Sequence, residues 1–314
     1  MFKIDRHKLN IIIALLLVYV VWGSTYLAMA FAVQSFPSYF MTFLRNFFAA
    51  LIMLALGFFI KEKSLTKKQK KIAMISGVFL VAANGTVAFV ERWLPSGLAA
   101  VVVGCLPVWL MVLNWLSFSK IKPSLIKILG GVLGLIGIVL LASEEIHFNF
   151  SGWQSGLFIF LNVAILLWAI GSLVQKNLKQ MQSLFYFTGL QLFSGSMIVF
   201  TISFIFEKPW LMDYTSLASR SVLSLLYLII FGSVVAFTAF SWLTRNVEPH
   251  IVSTYALVNP VIAVLLGWLL GKEKITTNFI SAFIFVSIGT FLLLYGDRWL
   301  KKNKIYATDL KDSW

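Results

Sequence analysis

Between residues 9 and 297 the chain is a succession of apolar runs, each near twenty residues long, broken only by short connections. A helix of roughly 20 residues, rising 1.5 Å per residue, crosses a hydrocarbon core about 30 Å thick. Inside that core each backbone N–H and C=O must find its partner within the segment, so an apolar run of this length is read as a spanning helix. Ten runs qualify: 9–31, 38–60, 72–91, 97–118, 124–143, 153–174, 183–206, 220–242, 251–271 and 276–297. The third and fifth are short or flanked by charge. No connection is long enough to hold a soluble domain. The expected fold is an all-α membrane protein of ten transmembrane helices.

Composition excludes the main alternatives. Only 12% of the 314 residues are charged and 60% are hydrophobic, whereas soluble domains carry about 25% charged residues. A soluble fold cannot hide so much apolar side chain, because its surface-to-volume ratio forces polar residues outward. The net charge of +14 would suit nucleic acid only if Lys and Arg gathered on one face of a polar domain. Here they stand in short runs between apolar stretches, so no nucleic-acid partner is expected. Cys105 is the single cysteine; it permits no internal disulfide and reads as a packing residue.

The basic residues also set orientation. With the N-terminus placed inside, alternate connections and the two tails collect twenty Lys and Arg on the cytoplasmic side. Five fall on the far side: Arg92, Lys208, Arg220, Lys272 and Lys274. That bias predicts both termini in the cytoplasm and a multi-pass protein of the inner membrane. The first run, with basic residues before it and Ala28-Met29-Ala30 near its end, has the look of a secretory signal. Cleavage would remove the partner of a repeat described next, so the run is expected to be retained.

Residues 1–146 can be laid on residues 147–314. Trp22-Gly23-Ser24 meets Trp168-Ala169-Ile170-Gly171-Ser172 at an offset near 146, where Leu44-Arg45 falls on Leu190-Gln191 and Phe47 on Phe193. Val87-Ala88-Phe89 echoes Val235-Ala236-Phe237, Pro95 and Pro107 echo Pro249 and Pro260, and Ile136-Gly137 echoes Ile288-Gly289. Each half holds five runs, and an odd number inserts the second copy upside down. The expectation is a five-plus-five inverted repeat, with the second copy followed by a short basic cytoplasmic tail. Such repeats place a solute site near the midplane.

Four runs in order carry a resemblance: Trp22-Gly23-Ser24-Thr25-Tyr26, Asn84-Gly85, Pro95-Ser96-Gly97-Leu98-Ala99-Ala100 and Thr254-Tyr255-Ala256-Leu257-Val258-Asn259-Pro260. Together they resemble the EamA-type members of the drug/metabolite transporter superfamily over nearly the whole chain. The resemblance implies ten helices in a five-plus-five inverted repeat and, usually, export of metabolites or drug-like solutes. The turn Gly271-Lys272-Glu273-Lys274 departs from the more acidic turn of many relatives.

Candidate solute contacts are few, because ionisable groups inside a bilayer cost at least a few kcal/mol. Arg45 lies within the second run, where its planar fork can receive a carboxylate or phosphate, or lock onto carbonyls or Glu91. Glu91 closes the third run, either as a coupling or gating carboxylate or as a solvated helix end. Asn84 shares its face. Tyr19, Trp22 and Tyr26 form one stripe on the first helix, and Trp168, Ser172 and Gln175 repeat it on the sixth. Trp22, Thr25, Tyr26, Arg45, Asn84, Trp168, Gln191, Tyr255 and Asn259 are the candidate solute-binding set, weighed against helix packing or an interfacial belt. Arg45 and Glu91 are the candidate gate; Pro107 and Pro260 are the candidate kinks. No catalytic group, metal site, cofactor or phosphate-cradling loop is expected. The partners are a small-molecule solute and the lipid bilayer. Secondary transport, with export ahead of uptake, leads over a non-transporting assembly subunit or a membrane-embedded enzyme.

Overall fold

The computed structural model describes residues 6–90, 92–93, 102–143, 152–176, 178, 183–271 and 277–311. Among these there is no strand. The helices are α1 Arg6–Ala32, α2 Ser38–Phe59, α3 Lys67–Val90, α4 Val102–Ser119, α5 Leu125–Ala142 and α6 Gly152–Val174. They continue with α7 Leu184–Phe206, α8 Ser219–Asn246, α9 Tyr255–Gly271 and α10 Thr277–Lys311. A single turn, Pro249–Val252, precedes α9. Nine helices among the described residues are long and apolar enough to cross a membrane, and α5 is a shorter apolar helix.

Local chemistry explains where the helices start and break. Helix α3 begins five residues before the apolar run expected at 72, because Thr66 and Gln69 form a capping box. The Thr66 N–H donates to Gln69 Oε1 at 2.8 Å and the Gln69 N–H donates to Thr66 Oγ1 at 3.3 Å, satisfying two orphan donors. Helix α4 is interrupted at Cys105, just ahead of Pro107, and ends in a π-helical turn over Asn114–Ser119. A proline lacks the N–H that the ladder needs, so a break falls there. Helix α8 widens into a π-helix over Leu228–Val235.

The surface is apolar and the interior carries the polar groups. Helix α1 exposes Ile12, Ile13, Leu16 and Val20 while burying Trp22 and Thr25; α2 exposes Phe48, Leu51 and Ile52 while burying Thr42, Arg45 and Asn46. With lipid outside, close packing and hydrogen bonds take over the role that burial plays in water.

Helix α5 lies along α10, and α2 along α7. Helix α3 packs on α6 and α7, as α8 packs on α1 and α2; α1 packs on α9, as α6 packs on α4. Adding or subtracting five from each helix number turns every one of these pairings into another of the set. Glycines allow the closest crossings. A Cβ on Gly77 of α3 would lie 2.0 Å from the Gln191 carbonyl oxygen of α7, and one on Gly195 would lie 2.4 Å from the Gly77 carbonyl oxygen. Likewise, a Cβ on Gly289 of α10 would lie 2.5 Å from the Gly134 nitrogen of α5.

Two glutamates join α2 and α7 at both ends. Glu207, just after α7, accepts the N–H groups of Tyr39 and Phe40 at 2.9 Å each, at the start of α2. Glu62, just after α2, accepts those of Phe185 and Tyr186 at 3.0 and 2.9 Å, at the start of α7. The two helices therefore run antiparallel, each ending at a carboxylate that satisfies the other's orphan donors and complements its dipole. Replacing Glu62 or Glu207 by Ala is expected to cost about 1–2 kcal/mol each, as loss of a helix cap does. The double variant should lose the sum, since the sites lie at opposite ends of the helices. Unfolding in detergent measures this, and two single variants as stable as the wild type would refute it.

Candidate functional site

A cavity of about 80 Å³ opens among α1, α2, α3, α4, α6, α8 and α9. Helix α1 contributes Trp22, Thr25, Tyr26 and Met29, and α2 contributes Arg45 and Asn46. Asn84 comes from α3, Trp168 from α6, Phe237 from α8, and Tyr255 and Asn259 from α9. Eight of the nine residues expected from the sequence to contact solute thus line one space; Gln191 does not. The contributions come from the end of α1, the start of α2 and the end of α3. Trp168, late in α6, and Tyr255, at the start of α9, reach the same space from the side of the basic Lys61–Lys71 segment, so the cavity lies toward the middle of the bundle with Arg45 on its far side.

Arg45 is the centre of its charge. The side chain is only 4% exposed. Its Nε donates to Ser233 Oγ at 2.7 Å, and Nη1 donates to the Met29 sulfur at 3.8 Å. No carboxylate lines the cavity among the described residues. The second candidate of the gate, Glu91, lies outside the described residues.

The π-helical stretch of α8 shapes this corner. A π-turn displaces the regular ladder and frees backbone groups, which is why such turns gather at functional sites. The Gly232 carbonyl within it accepts the Trp22 indole N–H at 3.0 Å, and the neighbouring Ser233 holds Arg45. A Cβ on Gly232 would sit 2.9 Å from Arg45 Nη2 and 3.0 Å from Thr25 Cγ2, so a larger residue would displace the end of the Arg45 side chain. The residues missed from sequence are Met29, Asn46, Phe237, Gly232 and Ser233. The small pair Gly232-Ser233 inside an apolar run was the available signal for the last two.

Rings form the wall. Trp22 meets Tyr255 edge-on at 4.8 Å between centroids, Phe240 at 5.1 Å and Trp168 at 5.7 Å. Trp168 Nε1 is buried without a well-formed hydrogen bond, with the Tyr255 hydroxyl near it. Asn259, in the amide orientation that satisfies both contacts, donates to the carbonyls of Tyr19 and Tyr255 at 3.2 and 3.0 Å. Thr25 donates to the Trp22 carbonyl at 2.7 Å, so its hydroxyl hydrogen is engaged within its own helix. Of the two expected kinks, Pro107 stands at the break in α4 and Pro260 lies inside α9.

Gln191 sits as deep in α7 as Arg45 sits in α2, seven residues from the helix start, but in the opposite half of the bundle. There it is fully buried. Its Nε2 donates to Ser76 Oγ at 2.7 Å and to Gln175 Oε1 at 3.0 Å, and its Oε1 accepts from Ser241 Oγ at 3.2 Å. The amide ties α3, α7 and α8 to the end of α6.

Beyond that network, toward the basic segment, Lys176 pairs with Glu248 at 2.9 Å and Lys127 with Asp297 at 2.8 Å. Burial alone would raise the Glu248 pKa. The hydrogen bond and charge of Lys176 outweigh it and hold the carboxyl below its ordinary value.

The EamA-like transporter family model matches the chain twice, over residues 9–143 and 154–295. The Escherichia coli (strain K12) protein described as "uncharacterized inner membrane transporter YedA" is 32% identical over 91% of this chain and 94% of its own. The Bacillus subtilis "uncharacterized transporter YoaV" is 25% identical over 90% and 96%. One solved crystal structure superposes with a TM-score of 0.74 at 13% identity, covering 92% of this chain and 97% of that one, a likeness of fold. The chain belongs to the EamA-like transporter family and is a multi-pass membrane transporter of the inner membrane.

Proposed function

We propose that the protein is a secondary transporter that exports small organic solutes by alternating access, with the Arg45 cavity as its solute site. In this reading ten helices span the membrane, both termini are cytoplasmic, and residues 1–146 and 147–314 are inverted repeats about an axis in the membrane plane. The observation that carries it is the inequality of two equivalent places. Arg45 and Gln191 stand at the same depth in α2 and α7, yet one faces a cavity and the other a closed hydrogen-bonded network. Two similar halves in unlike states are what alternating access needs at any one moment. The double match of the family model, the exchange of helix pairings on adding five, and the reciprocal Glu62 and Glu207 caps support the repeat. Export is the direction that the EamA resemblance implies. Pro107 and Pro260, in corresponding helices α4 and α9, are the bends on which the halves rock. At about 80 Å³ the cavity is smaller than the ~300–1,000 Å³ typical of ligand sites, so it must widen to admit an organic solute.

The test is a paired screen. Strains overexpressing or lacking the protein are challenged with toxic amino acids, nucleosides and dyes, and hits are followed as flux in proteoliposomes. Overexpression should raise tolerance to at least one class and deletion should lower it. No difference in any class, with no flux from proteoliposomes, would sink the transporter mechanism.

A further inference from the structure

We propose that the solute taken by the Arg45 cavity is a monoanion with a flat apolar body, such as an aromatic carboxylate, in preference to the matching amine, amide or amino acid. This rests on reading the cavity as the solute site. A guanidinium held in a bilayer needs a counter-charge or strong acceptors. Arg45 has one good acceptor, Ser233, and one weak one, the Met29 sulfur. Since Nε is taken by Ser233, the Nη1 and Nη2 edge remains, and that edge is the fork that a carboxylate fills with two parallel bonds. The bond to Ser233 fixes the fork's direction in advance, as does Gly232 packed against Nη2.

Charge balance narrows the class. One buried cation matches one negative charge, whereas a dianionic phosphate would leave a charge uncompensated. An amine would place a second cation beside Arg45. An amino acid would bring an ammonium group into a space where no described lining residue is acidic. The body of the solute meets rings. Trp22, Trp168 and Tyr255 present a wall suited to stacking or edge-on packing of a planar group. The Trp22 indole N–H is already spent on Gly232, so the ring offers its apolar surface.

Purified full-length protein in nanodiscs is tested with radiolabelled phenylacetate, competed by unlabelled phenylacetate, phenylacetamide, phenethylamine and phenylalanine. Phenylacetate should bind saturably and compete at a concentration at least tenfold below the other three. Arg45→Gln should abolish binding, Arg45→Lys should retain part of it, and Gly156→Ala, where an added Cβ meets nothing within 4 Å, should bind as the wild type does. Should Arg45→Gln fail to fold, Asn84→Asp decides: a carboxylate in the same cavity neutralises Arg45 and should weaken phenylacetate at least tenfold. The inference is overturned by equal competition from the amide, by preference for the amine or amino acid, or by absence of saturable phenylacetate binding. It is equally overturned if a folded Arg45→Gln or Asn84→Asp variant binds as the wild type does. Flux of phenylacetate in proteoliposomes separates the two levels. Arg45-dependent binding without flux would count against transport alone, whereas phenylalanine carried in preference would leave transport standing and overturn the anion assignment.

Discussion

Gly77→Val is expected to eliminate folded protein, while Gly156→Ala leaves stability within about 1 kcal/mol of the wild type. At Gly77 a Cβ would lie 2.0 Å from the Gln191 oxygen and 2.6 Å from the Gln191 Cα. Both are backbone atoms, so no side chain can swing away and relief requires α3 and α7 to separate. That separation would also pull Gly195 from Gly77 and loosen Ser76 from Gln191. Membrane helices associate through close approach of small residues and have little hydrophobic drive to close a gap. The expected loss therefore exceeds about 4 kcal/mol, at the diagnostic end of single substitutions. At Gly156 an added Cβ meets nothing within 4 Å. The yield of monodisperse protein in detergent and its unfolding midpoint measure both variants. A Gly77→Val protein with wild-type yield and midpoint would overturn the α3–α7 crossing.

Gln191→Leu is expected to open the side of the bundle that the structure shows closed. Leucine nearly conserves volume but removes the bonds to Ser76, Gln175 and Ser241. Ser76 keeps its bond to the Ala73 carbonyl, whereas Gln175, whose Nε2 already lacks a partner, is left with only the long 3.4 Å bond from Ser241 at its oxygen. A buried acceptor left short costs about 1–3 kcal/mol. If that cost falls on one of two alternating states, about 2 kcal/mol shifts their ratio roughly 30-fold. A reporter cysteine, Thr244→Cys in a Cys105→Ala background, should then react at least tenfold faster with an impermeant thiol reagent applied from the basic side. Thr244 is 5% exposed at present, so an open pathway would be conspicuous. Unchanged labelling would show that the Gln191 network is static packing.

How far the site could be read from sequence depended on the kind of signal each residue sends. Arg45 is a charge in an apolar run, Trp22 and Trp168 are placed by the offset of the halves, and Asn259 stands beside Pro260. Each is conspicuous where it stands, and each lines the cavity. Gln191 was found by the same offset, as the counterpart of Arg45, but offset carries no information about which of two equivalent places is open. Glu62 and Glu207 look like ordinary charges near helix ends. Only the fold shows that each caps the start of a helix more than a hundred residues away in the chain. Gly232 and Ser233 stand out in sequence only as a small pair in an apolar run; that they hold Trp22 and Arg45 depends on the π-turn of α8, which the pair does not announce.

The length and number of the apolar runs are local properties, and the bilayer's thickness converts them directly into helices. The sequence by itself therefore determined roughly where the apolar helices lie, although among the described residues nine are of spanning length, α5 is shorter, and α10 continues to Lys311 beyond the run expected to end at 297. Which side of each helix faces inward is different. In water a buried stripe differs chemically from the exposed one, so period reveals it. Here lipid and protein interior are both apolar, and leucine or phenylalanine suits either side. Close glycine contacts, capping carboxylates and the few buried polar side chains choose the orientation, and those are contacts between distant segments. Only the tertiary structure could decide that Arg45 meets Ser233 across a cavity while Gln191 is locked to Ser76.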